Sequence, residues 1–209
     1  MSNDTTQWMP VELTGKTAVV CGASQGIGLA TAQHLAGLGA RVILMARNKG
    51  KLEIALATLS EPSRHGYSVA DFSDSSLVKT AIQTIVEREP VHILVNNTGG
   101  PAGGPITEAK PDAFVKTFEQ HLICNQILAQ AVFPSMKTAG YGRIINVIST
   151  SVKQPLAGLG VSNTVRGAVA NWAKTWANEV GPSGITVNNV LPGATNTSRL
   201  DEIVHSKAE

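Results

Sequence analysis

The stretch 17–47, TAVVCGASQGIGLATAQHLAGLGARVILMAR, decides how the rest of the chain is read. A short β-branched apolar run leads straight into Gly22, Gly26 and Gly28, a helical pattern follows, and a second apolar run closes the unit. Glycine permits a tight turn and a close backbone approach, and a helix that starts there points free N–H groups and partial positive charge outward. That combination suits a pyrophosphate, with Ser24 and Ile27 in the same turn. Glycines alone would be weak grounds. Their place between a strand and a helix, with a second strand at βαβ spacing, makes a ligand-free turn the poorer reading.

The same alternation continues outward from this unit. Apolar runs at 17–21, 41–46, 67–70, 92–96, 143–148 and 185–190 alternate with helical patterns at 26–38, 49–59, 75–88, 111–137 and 162–180. This is the plan of an α/β protein whose parallel sheet is covered on both faces. The 209 residues suffice for one domain, and 43% hydrophobic with 15% charged residues argues against disorder. The net charge is +2, and the 17 basic residues are dispersed, which gives no sign of a nucleic-acid or membrane-surface partner. No apolar run approaches the ~20 residues of a membrane span. The opening MSNDTTQWMP lacks the plan of a signal peptide, so a cytoplasmic location is expected. Cys21 and Cys124 are far apart in sequence with no paired spacing, so reduced thiols are expected and no metal site.

The second strand ends at Ala46 and Arg47, with no carboxylate before Glu53 to hold ribose hydroxyls. Arg47, perched there with Lys49 nearby, suits a 2′-phosphate and hence NADP over NAD, because a guanidinium binds phosphate in a forked, charge-assisted way. An ordinary solvated arginine is the competing reading. The glycine-dense NTGGPAGGPI follows a strand end, where α/β sheets carry their sites, and so reads as a site loop rather than a linker.

With CGASQGIG, VNNTGG, GRIINVIS and GITVNNVLPG in this order, the chain resembles the short-chain dehydrogenase/reductase family, of the 3-oxoacyl-ACP reductase kind, from about Leu13 to Leu200. The resemblance implies a single Rossmann-type doubly wound parallel sheet of strand order 3-2-1-4-5-6. It implies that Asp71 and Phe72 lie beside the adenine, that Asn96 and Gly99 belong to the NNAG-like loop, and that Pro192 and Gly193 lie beside the nicotinamide. Thr195 and Thr197 then become candidates to hold the carboxamide. Thr98 replaces the alanine of that loop, and Cys21 replaces a usual threonine. The family's paired long helices imply a homodimer or homotetramer. The family also continues past this point with a substrate-covering segment and a further strand. Without them a sheet ending at 185–190 would expose an apolar edge, so a shortened chain or an omitted tail is expected.

The family's chemistry uses an asparagine, a serine, a tyrosine and a lysine. Ser149 falls at the serine, but the tyrosine, lysine and asparagine positions hold Ser162, Arg166 and His121. A tyrosine with a pKa of about 10, lowered by a neighbouring cation, is a usable acid. Serine is far weaker and shorter, and leaves a gap that water or substrate can fill. Arg166 keeps the charge and the donors, for ribose hydroxyls, a phosphate or a different anionic ligand, but does not trade protons. Helical spacing places Phe114, Phe118, His121, Asn125, Leu128 and Val132 on one sheet-facing stripe. His121 is there either a hydrogen-bonded core residue or a proton donor. Two functions follow. One is an NADP(H)-dependent oxidoreductase acting on a small carbonyl or alcohol by an altered proton route. The other is a dinucleotide-binding member without redox activity that serves as a sensor, regulator or subunit.

Overall fold

The computed structural model describes residues 11–197, so the N-terminal MSNDTTQWMP and the segment 198–209, including Leu200, lie outside the described residues. The strands are β1 (Thr17–Cys21), β2 (Arg41–Ala46), β3 (Gly66–Val69), β4 (Ile93–Asn96), β5 (Gly142–Val147) and β6 (Ile185–Val190). The helices are α1 (Gly26–Gly37), α2 (Lys49–Ala57), α3 (Ser75–Val86), α4 (Pro111–Phe118), α5 (Cys124–Ala139) and α6 (Gly160–Val180). All six strands are parallel, in the order β3-β2-β1-β4-β5-β6. That is the doubly wound order expected, with the crevice where the order reverses, between β1 and β4.

Alternation along each strand feeds two cores. Val19, Cys21, Ile43, Met45, Leu94, Ile144 and Val187 point into one core with residues of α3, α5 and α6. Ala18, Val20, Val42, Leu44, Ile93 and Val95 point into the other with residues of α1 and α2. This is why the central strands read as continuous apolar runs: each residue is buried on one face or the other. Local signals set the helix ends. Asn48 accepts from the Lys51 N–H at 2.9 Å and caps α2, Asp74 caps α3 through the Ser76 N–H, and Gly140 in the left-handed region ends α5. Cys21 and Cys124 are both free and buried in the first core, where burial raises both thiol pKa values, helped by Cys124 at Cys21 and by Glu119 and Asp74 at Cys124.

The continuous helix expected over 111–137 is not found. A π-turn, Glu119–Ile123, separates α4 from α5 and contains His121. A π-turn winds through fewer degrees per residue than α-helix, so the face that His121 occupies continues backward to Thr117 instead of Phe118. Accordingly Thr117 is buried and Phe118 is exposed, while Asn125, Leu128 and Val132 stay on the buried stripe as expected. On α6, Val165, Val169 and Ala173 are buried together. Trp172 and Trp176 are half-buried, and both indole N–H groups donate to Oε1 of Gln126 on α5, at 2.7 and 2.9 Å.

A polar ladder crosses the C-terminal end of the sheet. Asn96, Asn146 and Asn189 are in register on β4, β5 and β6, with Asn96 Nδ2 donating to Asn146 Oδ1 at 2.8 Å and Asn146 Nδ2 to Asn189 Oδ1 at 3.1 Å. Asn146 is fully buried, so truncating it strands a donor and an acceptor at once. Asn146→Ala is expected to lower unfolding stability by roughly 2–4 kcal/mol in urea titrations. A loss under about 1 kcal/mol would show that the ladder is not holding the strand ends.

Candidate active site

The site begins where β1 ends. Gly22 and Gly26 both have left-handed φ, +58° and +57°. A Cβ on Gly22 would lie 2.5 Å from the Asn97 carbonyl oxygen, and one on Gly28 would collide with the carbonyl oxygen of Gly22 itself. The turn is therefore pressed between the start of α1 and the loop after β4, and only glycine fits. Asn97, which the sequence reading passed over in favour of Asn96, fastens that contact: its Nδ2 donates to the carbonyls of Cys21 and Gly22 at 3.2 and 3.4 Å. Asn96 is instead buried in the ladder. The first turn of α1 carries no acidic residue and its N-cap, Gln25, makes no side-chain cap, so the positive end of the helix faces the crevice uncompensated. Ser24 and Ile27 are half-buried beside it. Thr197 comes in from the opposite side, its Cγ2 3.4 Å from where a Cβ of Gly26 would stand. These features fit a pyrophosphate held between the glycine turn and the 193–197 segment.

Arg47 is exposed at the end of β2, and its charge helps hold the Asp71 carboxyl below its usual range. The larger causes of that depression are the Ser73 N–H and hydroxyl, both donating to Asp71 Oδ1 at 2.9 Å. Lys49 is engaged with Glu53 at 3.8 Å. Lys51, unremarked in the sequence, reaches across to Oε1 of Gln25 at 3.4 Å and so brings a second cation to the side of the crevice nearest Arg47. The Phe72 ring is packed in the core, which leaves only its backbone to face an adenine.

At the far end, Ser149 follows β5 and its Oγ accepts from the Ser151 N–H at 3.1 Å, leaving its own O–H to donate. The Thr150 N–H donates to the Pro192 carbonyl at 3.2 Å, which ties this turn to the segment holding Gly193 and Thr195. Thr195 Oγ1 donates back to the Gly193 carbonyl at 3.3 Å, closing a local turn. Ser162 is half-buried in the first turn of α6, and Arg166 lies one turn on. Arg166 Nη1 donates to the Val147 carbonyl at 2.7 Å, and its Nη2 lies beside Gly100. Burial lowers the Arg166 pKa to about 10, which leaves it a cation at neutral pH.

His121 is 3% exposed. Its Nδ1 lies 2.7 Å from Thr98 Oγ1, while Nε2 is buried with no partner. Thr98, the residue that departs from the family's alanine, thus bonds the residue that departs from the family's asparagine. Burial first, and then the Arg166 charge, lower the His121 pKa to about 3, with the Gly99 backbone opposing in part. The ring is neutral at physiological pH. The adjoining Gly99 carbonyl also accepts from Gln120 Nε2 at 3.2 Å. Among the described residues no cluster of three metal-ligating side chains occurs, and no helix is long and apolar enough to cross a membrane.

Comparison with known proteins gives the family. The short chain dehydrogenase profile matches residues 16–208. The chain belongs to the short-chain dehydrogenase/reductase family. It is 32% identical over 200 residues to a 2,3-dihydroxy-2,3-dihydro-p-cumate dehydrogenase of Pseudomonas putida, covering 94% of this chain and 77% of that one. It is 31% identical over 195 residues to a gluconate 5-dehydrogenase of Gluconobacter oxydans, covering 92% and 76%. Among solved structures, L-sorbose reductase from Gluconobacter frateurii, complexed with NADPH and L-sorbose, superposes with a TM-score of 0.88 at 32% identity, covering 96% and 76%. An actinorhodin polyketide ketoreductase with NADPH gives 0.86 at 30% identity, covering 93% and 76%.

The buried neutral histidine has a consequence for stability. Its folded pKa lies below the roughly 6.5 of an unfolded histidine, so between those values the unfolded chain binds a proton that the native ring refuses. The stabilisation is present above pH ~6.5 and is lost as pH falls toward 3. His121→Asn is expected to remove about 2–3 kcal/mol of the stability loss between pH 7 and pH 4.5, read from urea midpoints at the two pH values. Identical pH dependence in the two proteins would contradict a neutral buried ring.

Proposed function

We propose that this protein is an NADP(H)-dependent oxidoreductase acting on a carbonyl or alcohol group of a small molecule, with a proton route unlike the family's. The observation that carries the reading is the cradle in which Gly28 abuts the Gly22 carbonyl under the Asn97 clamp. It is supported by family membership and by relatives whose structures hold NADPH. Gly22, Ser24, Gly26, Ile27 and Gly28 would hold the pyrophosphate, Arg47 with Lys51 the 2′-phosphate, and the Asp71–Phe72 backbone the adenine. Gly99 and Arg166 would hold the nicotinamide ribose, and Pro192, Gly193, Thr195 and Thr197 the nicotinamide end. The bound cofactor would supply or accept hydride at the substrate carbon.

The chain's own contribution lies in orientation. The free O–H of Ser149 donates to the substrate oxygen and fixes its direction. Ser162 is too weak an acid to give up its own proton, and the space left by the missing aromatic ring admits a water that passes the proton to or from that oxygen. His121, neutral and tied to Thr98, holds one side of this path in place without ionising.

Fluorescence titration tests the cofactor. NADPH is expected to bind at least about tenfold tighter than NADH, and Arg47→Ala to remove most of that difference. Equal binding of the two nucleotides, unaltered by Arg47→Ala, would refute the NADP reading. On whichever carbonyl compound turns over, Ser149→Ala is expected to lower kcat about a hundredfold or more.

A further inference from the structure

Arg166 is a half-buried cation on the wall of the crevice, and among the described residues it has no counter-charge. Its bond to the Val147 carbonyl uses one guanidinium N–H, and among the described residues no carboxylate lies within ion-pair distance of it. A partly desolvated guanidinium with unused N–H groups facing a crevice gains most from an anion that pairs with it there. The cofactor does not complete it. The dinucleotide's phosphates belong to the glycine turn beyond β1 and to Arg47, whereas Arg166 lies across the crevice beside the end of β5. The nicotinamide ring is neutral when reduced and positive when oxidised, so the ring end brings no anion and at times repels one more cation. The ribose offers only neutral hydroxyls.

The surroundings favour a planar anion. A guanidinium presents parallel N–H groups that match the two oxygens of a carboxylate. Ser162, one turn before Arg166 on α6, puts a short hydroxyl where a bulky ring would close the space. Buried His121 Nε2, unpartnered and close enough to Arg166 for their charges to couple, supplies a further polar group. Ser149, the candidate for orienting the reacting oxygen, is two residues beyond the carbonyl that anchors Arg166.

We propose that the substrate is an organic acid, an oxoacid or hydroxyacid, whose carboxylate pairs with Arg166 between Ser162 and the Gly99–Gly100 loop while its reacting oxygen lies at Ser149. This rests on the oxidoreductase reading for the identity of the ligand as substrate, but the carboxylate site itself does not need the cofactor.

Two measurements separate these layers. On the cofactor-free protein, sodium formate is expected to raise the melting temperature saturably above a sodium chloride control of equal ionic strength. Arg166→Met is expected to abolish that rise, and Arg166→Lys, which keeps the charge without the fork, to weaken formate at least fivefold. No excess over chloride, or a response that survives Arg166→Met, overturns the site. On the NADPH-loaded protein, three pairs are titrated by cofactor fluorescence: pyruvate, phenylpyruvate and acetoacetate, each against its neutral methyl ester. In at least one pair the acid is expected to bind tenfold tighter than the ester, with the preference lost in Arg166→Lys. No preference for acid in any pair overturns the substrate class. Failure of NADPH itself to bind the wild-type protein overturns the oxidoreductase reading and leaves the formate result to decide the site alone.

Discussion

The contact on which this structure turns is the approach of Gly28 to the carbonyl of Gly22. It sets how close the first turn of α1 comes to the end of β1, and it is possible only because Gly28 carries no Cβ. Asn97 then reaches from β4 and binds the same carbonyls, so the crevice at the reversal of strand order is braced from both sides. The positive end of α1, the left-handed glycines and the approach of Thr197 to Gly26 all follow from that spacing. A side chain at Gly28 would disturb the packing of helix on sheet and the phosphate cradle together.

At the opposite end of the crevice the governing term is electrostatic. Arg166 and His121 are both desolvated and near enough to interact, and the result is one persistent cation and one ring held neutral. Thr98 and His121 behave as a unit, each departing from the family pattern and each bonded to the other. The π-turn gives His121 its depth, because the wider winding lets residue 121 share a face with both Thr117 and Asn125. Among the described residues at this end of the crevice, the ionisable pair is thus a cation and a neutral ring.

Much of this was legible in the sequence. The glycine turn, the βαβ spacing and the apolar runs are local patterns, and strand order followed from the family resemblance carried by CGASQGIG and its companion motifs. The family resemblance placed Ser162 and Arg166 where the family's reactive pair is expected, and the structure sets them one turn apart on α6. Less was legible where one residue's role depends on a distant neighbour. Phe72 fell in the adenine segment by register, yet its ring packs into the core. Asn96 looked like the cofactor-side asparagine, yet it belongs to a ladder with Asn146 and Asn189, which are distant in sequence. The doublet at 96–97 was the available signal, since successive strand residues face opposite sides and only one of the two could be buried with the ladder.

The sequence by itself determined the layered α/β plan and the glycine turn between β1 and α1, because each is fixed by residue type at short spacing. Only the tertiary structure decided that His121 is neutral, that Arg166 has no counter-ion among the described residues and that Asn97 and Lys51 join the crevice. Desolvation and pairing are sums over neighbours brought from several elements, and helical or strand periodicity carries no record of which neighbours those are.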